Sequence, residues 1–190
     1  MEKYPRETGR KFAEQLSTWH SPAEALAVIE VERSRWDGAL LGGAGKSWRE
    51  AYVACEVAAA LGGQQVRLGS DADLGPDFEV KTATDLFSVQ LVEPRDPEKH
   101  LYVPGTGYNP DAEIDAVLDA LARDMAKKAQ KGYPPSIVLA ARIDIWNFDD
   151  RRQEVLAKIG GASMQWIDQF REVWIIWGGH VIRIAVHSAR

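Results

Sequence analysis

Two stretches of this chain, Ile137 to Ala141 and Val173 to Trp177, are apolar at every position, without the alternation of a strand that keeps one face in water. Short continuous runs of this kind belong to strands covered on both faces, so they demand helices packed over a sheet and predict a mixed α/β fold. The remaining patterns supply those helices. From residue 47 the order reads helix, three strands, helix, strand, helix, two strands. The first helix runs from Trp48 to Leu61, buries Ala51, Val53, Ala54, Ala58 and Leu61, and stops at Gly62-Gly63. Strands follow at Gln64 to Leu68, Asp77 to Lys81 and Leu86 to Glu93, the last two forming a hairpin through Thr82 to Asp85. Asn109-Pro110-Asp111 opens a long helix with the stripe Ile114, Val117, Leu118, Leu121 and Met125, closed by Gly132 and by Pro134-Pro135. A strand over Ser136 to Trp146 and a helical stretch over residues 150–170, interrupted at Gly160-Gly161, lead to the strands Glu172 to Trp177 and Val181 to Val186, which turn at Gly178-Gly179.

Ahead of this core, residues 7–37 predict two helices parted near His20, Ser21 and Pro22. Ser21 suits an N-cap, Pro22 the first helical position, and Glu24 the third position of a capping box. A helix pair with one apolar stripe, here Ala25, Leu26, Ile29 and Trp36, cannot bury that stripe alone, so it packs on the core or on a second subunit. A homodimer or a protein partner held through this arm is therefore an expectation. Residues 38–45 carry four of the sixteen glycines and set the expected boundary, with 1–46 an N-terminal arm and 47–190 the α/β domain. Within that stretch, Leu40 to Ser47 imitates a phosphate-binding loop. It lacks the first glycine and a preceding strand, so the local reading is that Ser47 caps the next helix, Glu50 closes the capping box, and Lys46 is an exposed loop cation.

Composition excludes several classes. The 190 residues, 45% hydrophobic and 27% charged, suit a globular protein with one full core. One cysteine, Cys55, rules out an internal disulfide framework and reads as a buried inert thiol. No apolar run is long enough to span a bilayer and the N-terminus lacks a signal pattern, which points to the cytoplasm and away from membranes. A net charge of −5 argues against indiscriminate coating of nucleic acid while permitting a local basic stripe. The four histidines, His20, His100, His180 and His187, have no metal-ligand spacing, and the seven tryptophans lie mostly in core patterns.

Chemistry concentrates in Gly75 to Lys81. Alternation along a strand projects Asp77, Glu79 and Lys81 to one side and Phe78 and Val80 to the other. Two carboxylates and an ammonium on one patch meet the needs of phosphodiester hydrolysis: hard oxygen ligands for Mg²⁺ or Mn²⁺, and a cation for a water or for developing phosphorane charge. If Phe87, Val89 and Leu91 face the core with Phe78 and Val80, then Ser88 and Gln90 join the polar face. The competing reading is a half-exposed strand whose charges pair in solvent.

The order helix, three strands, helix, strand, with Pro76-Asp77 opening the second strand, resembles the PD-(D/E)XK nuclease superfamily over residues 47–146. The resemblance implies a restriction-endonuclease-like sheet flanked by helices and a Mg²⁺-dependent nuclease acting on DNA or RNA. It makes Asp77 the first acid. The chain departs from the family pattern on the third strand, where Ser88, Val89 and Gln90 stand in place of acid-x-Lys. Either Glu79 and Lys81 replace that set from the second strand, with Asp77 and Glu79 as metal ligands and Gln90 in support, or Glu93 supplies the acid through a bulge. Strand parity favours Glu79. Glu56, on the helix before the strands, matches a supporting acid of the family and equally suits an outward helix position. Asp71 and Asp73 fit a second metal or an ordinary turn. Arg123, Lys127 and Lys131, with Lys128 alongside, form a stripe for phosphates that also suits a helix C-terminus. The alternative to an active nuclease is an inactive nuclease-fold module acting through protein or nucleic-acid interaction.

Overall fold

The computed structural model describes residues 4–36, 45–69, 74–93, 110–143, 152–161 and 167–186. They form an α/β protein with a six-stranded mixed sheet flanked by helices. In chain order the elements are α1 (Arg6–Gln15), α2 (Pro22–Trp36), α3 (Lys46–Leu61), β1 (Gln65–Leu68), β2 (Phe78–Lys81), β3 (Leu86–Val92), α4 (Pro110–Ala129), β4 (Ile137–Ile143), α5 (Arg152–Gly161), a 3-10 turn at Ile167–Gln169, β5 (Glu172–Trp177) and β6 (His180–Val186). The strands lie side by side in sequence order, β1 antiparallel to β2, β2 antiparallel to β3, and β4 parallel to β5. The expected element order and the mixed α/β class are both present. By contacts the chain divides into two compact units, Met1–Gln90 with Gly179–Val181, and Leu91–Gly178 with Ile182–Arg190.

In the first unit, α3 lies over β1 and β2, and α1 and α2 pack against α3. Alternation gives β1 and β2 an apolar face of Val66, Leu68, Phe78 and Val80, paired Val66 to Val80 and Leu68 to Phe78. Small residues on α3, Ala51, Ala54 and Ala58, let the helix approach closely. Gly62 ends it in the left-handed region at φ 66°, a conformation that costs a residue without Cβ nothing. The α2 capping box forms as read: the Ser21 amide and hydroxyl donate to Glu24 Oε2 at 2.8 Å, and the Glu24 amide donates to Ser21 Oγ at 3.3 Å. The Tyr4 hydroxyl donates to the buried Glu32 at 2.7 Å, and its ring meets Trp36 edge-on, which ties the chain start to the end of α2.

One local reading is corrected. Helix α3 begins at Lys46, two residues earlier than expected, with Gly45 at the N-cap and no side-chain cap bond. Ser47 does not cap it, Glu50 closes no capping box, and Lys46 belongs to the first helical turn rather than to a loop. The Glu50 carboxylate instead meets the Lys46 ammonium one turn back on the same helix, at 2.7 Å.

In the second unit one sheet face carries Ile137, Leu139, Ala141, Ile143, Val173, Ile175 and Trp177, packed with Leu121, Met125 and Ala129 of α4 and with Tyr133 and Phe170. The continuous apolar runs are buried throughout, as two-sided coverage requires. Leu118 borders this core, while the side chains of Ile114 and Val117 lie outside the described residues, as do residues 144–150 at the expected end of β4. Gly178 and Gly179 make the turn between β5 and β6 with φ of 55° and 74°.

Gly69 marks a close approach of two backbones: a methyl group there would lie 2.7 Å from the Pro76 carbonyl carbon and nearer still to its oxygen. Its amide donates to the Asp77 carbonyl at 2.9 Å. Gly69→Ala should therefore displace the Pro76-Asp77 backbone and lower stability by about 2 kcal/mol or more. Ile29→Ala, in a fully buried position of α2, should cost about 2–4 kcal/mol. Denaturant unfolding of both variants checks these values, and an unchanged midpoint for Ile29→Ala would show that α2 adds nothing to the core.

Candidate functional site

Asp77 stands one residue ahead of β2, where alternation does not yet bind it. Its amide donates to the Val89 carbonyl at 2.8 Å, which anchors the backbone to β3, and its side chain turns to the first turns of α3. There the Lys46 ammonium lies 3.1 Å from Asp77 Oδ1 and 2.7 Å from Glu50 Oε1. Lys46 and Glu50 are one helical turn apart, so they share a face of α3. The two acids are nearly buried, with 9% and 10% of their side chains exposed, whereas 62% of Lys46 is exposed.

This arrangement shifts proton affinities. Burial first, and then the charge of Asp77, push the Glu50 carboxyl up to about 8 against the opposing pull of Lys46. Partial burial works against the Lys46 ammonium, but Glu50 and Asp77 outweigh it and hold its pKa above the usual lysine range. Glu50 thus holds its proton to higher pH than an ordinary carboxyl, while Lys46 keeps its ammonium.

The other expected residues separate into distinct contacts. Glu79 pairs directly with Ser88 across β2 and β3, as strand parity requires, and Ser88 Oγ donates to Glu79 Oε1 at 2.8 Å. The Glu79 carboxylate is also gripped by the Arg67 guanidinium, which stands opposite it on β1 and lies 4.5 Å from the centre of the Trp19 ring. Gln90 is buried and donates its side-chain amide to the Gly75 carbonyl, holding the loop ahead of Asp77. Lys81 is exposed, opposite the exposed Leu86. Glu93 pairs with Arg142 at 3.9 Å.

On α3 it is Glu50, six residues ahead of Glu56, that meets Asp77. Glu56 is half-buried beside Cys55, whose thiol burial and the Glu56 charge push up to about 12, away from nucleophilic reactivity. Asp71 and Asp73 fall outside the described residues. Arg123, Lys127 and Lys131 are exposed along α4 and beyond it, Lys127 pairs with Asp124 at 2.9 Å, and Lys128 lies 5.9 Å from the Tyr133 ring centre. Among the described residues no three His, Cys, Asp or Glu side chains converge as a metal cluster, and no helix is long and apolar enough to cross a membrane.

Sequence reading missed the Lys46–Glu50 pair and Arg67. The i, i+4 spacing of Lys46 and Glu50 was the available signal for the first. Arg67 left none until the register of β1 against β2 was known. No protein-family model matches the chain, and comparison with curated proteins and with solved structures returns no match.

The raised Glu50 carboxyl fixes a direction for stability against pH. The unfolded state releases this proton near 4.5 and the folded state near 8, so between those values the folded state binds more protons and stability falls as pH rises, levelling off above about 8. Glu50→Gln removes the titrating group and keeps its shape. Melting temperatures from pH 5 to 8.5 should decline less steeply in the variant than in the wild type; parallel curves would show that Glu50 ionises normally.

Proposed function

We propose that the protein is a divalent-cation-dependent phosphodiester hydrolase acting on nucleic acid, with Asp77 and Glu50 as the carboxylates that hold Mg²⁺ or Mn²⁺. The observation that carries this reading is the convergence of two nearly buried acids, from different elements, on one ammonium. That ammonium stands where a cation is electrostatically favoured, and carboxylate oxygens suit a hard divalent ion. The resemblance to the PD-(D/E)XK superfamily supports the same reading through Asp77, the acid at the opening of the second strand; the helix acid it implied was Glu56, whereas the acid that meets Asp77 is Glu50. It also supports a restriction-endonuclease-like form of the α/β fold.

A divalent cation held there supplies positive charge for a nucleophilic water and for the developing phosphorane. The protein's own groups have separate tasks. Asp77 and Glu50 bind the ion and neutralise it. Gln90 and Gly69 fix the backbone that carries Asp77. Arg67 and Ser88 engage Glu79 in its own contacts, which leaves it out of the ion's ligand set. Lys81 and the stripe of Arg123, Lys127, Lys128 and Lys131 are cations for a phosphate backbone.

The exposure of Lys81 and the engagement of Glu79 by Arg67 favour a second reading, a nuclease-fold module that binds without cleaving. Two measurements separate them. Calorimetry with Mn²⁺ should give a binding isotherm for the wild type that Asp77→Asn loses, with affinity rising from pH 6 to 8 as the Glu50 proton is released. Labelled DNA and RNA oligonucleotides with Mg²⁺ or Mn²⁺ should then be cut by the wild type and not by Asp77→Asn. Metal binding without cleavage of either polymer favours the module, and equal heats for both proteins remove the metal site.

For the stripe, Lys127→Glu with Lys131→Glu should weaken oligonucleotide binding and reduce its salt dependence by about one unit of slope per lost phosphate contact, with Mn²⁺ affinity unchanged. An unaltered salt slope would assign those cations to the dipole of α4.

A further inference from the structure

Lys46 differs from the two acids it touches in its freedom to leave them. It sits in the first turn of α3 with most of its flexible stem exposed, whereas the Glu50 and Asp77 side chains are nearly buried, carried by α3 and by the strand entry. Two buried carboxylates require compensating positive charge, and a proton, an ammonium or a metal ion can each supply it. These three compete for the same oxygens. The lysine of the strand motif, Lys81, is exposed opposite Leu86, so the ammonium in contact with both acids is that of Lys46.

We infer that Lys46 is the internal counter-ion of this site, displaced from Glu50 and Asp77 by an incoming divalent cation and thereby released to contact a phosphate oxygen of a phosphodiester. The inference rests on the metal-site reading given above. An ammonium resting on the metal's own ligands weakens metal binding at rest. Once displaced, it remains tethered a few ångströms from the ion, where a phosphodiester also needs positive charge. Occupation by metal and readiness for substrate are then coupled through one side chain.

The two roles open to Lys46 predict effects of opposite sign. Were it a prop that shapes the carboxylates, its removal would weaken metal binding. As a competitor, its removal strengthens binding, because a divalent ion gains twice the Coulomb energy that a competing proton gains from the loss of one nearby positive charge. The test is calorimetric titration of the whole chain with Mn²⁺ at pH 8, comparing wild type, Lys46→Met, Lys46→Gln and Lys46→Arg, with melting temperature as the fold control. Lys46→Met and Lys46→Gln should bind Mn²⁺ roughly tenfold more tightly, while Lys46→Arg, which retains the charge, stays near the wild type. At saturating Mn²⁺, hydrolysis of bis(p-nitrophenyl) phosphate should fall in both neutral variants despite the tighter metal. Wild-type Mn²⁺ binding with unchanged or weaker affinity in the neutral variants overturns the counter-ion and leaves the metal site standing. Absence of Mn²⁺ binding in all four proteins overturns the site itself, and the counter-ion with it.

Discussion

The close seating of α3 on the β1–β2 pair is the constraint from which the first unit follows. Ala51, Ala54 and Ala58 keep that face of the helix thin, and at its C-terminal end even Gly63 leaves no room: an added methyl would lie 2.8 Å from both Ala58 Cβ and Val80 Cγ1. A helix held this tightly cannot slide or rotate without clashes, since packed interiors deform little. Its N-terminal turn is thereby placed against the entry to β2, and Lys46 and Glu50 meet Asp77. The site is a consequence of packing several turns away. The same packing covers α3 with α1 and α2, and the Trp48 indole donates to the Ile29 carbonyl at 3.1 Å across that contact. The N-terminal helices thus belong to the structure that sets the geometry of the candidate site.

How far the chain could be read in advance depends on how local each interaction is. The Ser21–Glu24 capping box, the Gly178-Gly179 turn and the doubly buried strands were legible because each depends on residues within a few positions, or on a periodicity that survives any tertiary arrangement. The pairing of Glu79 with Ser88 was legible for the same reason, since two apolar stripes flanking a short turn admit one register. Glu50 was not. Three residues after Ser47 it satisfied the pattern of a capping box, and only the docking of α3 on the sheet brought Asp77 to the Lys46–Glu50 pair. Asp77 escaped the parity argument because the residue before a strand is free of its alternation. Arg67 escaped because no motif announces which residue of an edge strand will stand opposite a given acid.

Buried acids are common enough here that burial alone does not select a site; the kind of partner does. Glu32 receives the Tyr4 hydroxyl, a neutral donor at 2.7 Å. In the second unit Glu172 accepts from the Trp174 indole at 2.7 Å and pairs with Arg183 at 3.3 Å. Glu79 is gripped by the fork of Arg67, itself held over Trp19, and by Ser88. A guanidinium presents several fixed donors and keeps its charge, so such pairs are closed: displacing the arginine strands both groups. Glu50 and Asp77 are different. Two carboxylates share a lysine, a compact charge on a flexible and largely exposed stem, and burial followed by the charge of Asp77 raises the Glu50 carboxyl. Folding alone would favour an arginine fork at such a place, or an apolar pair. Two acids that meet one flexible ammonium make a less closed contact than such a fork. A lysine partner on an exposed stem is what separates Glu50 and Asp77 from Glu32, Glu79 and Glu172.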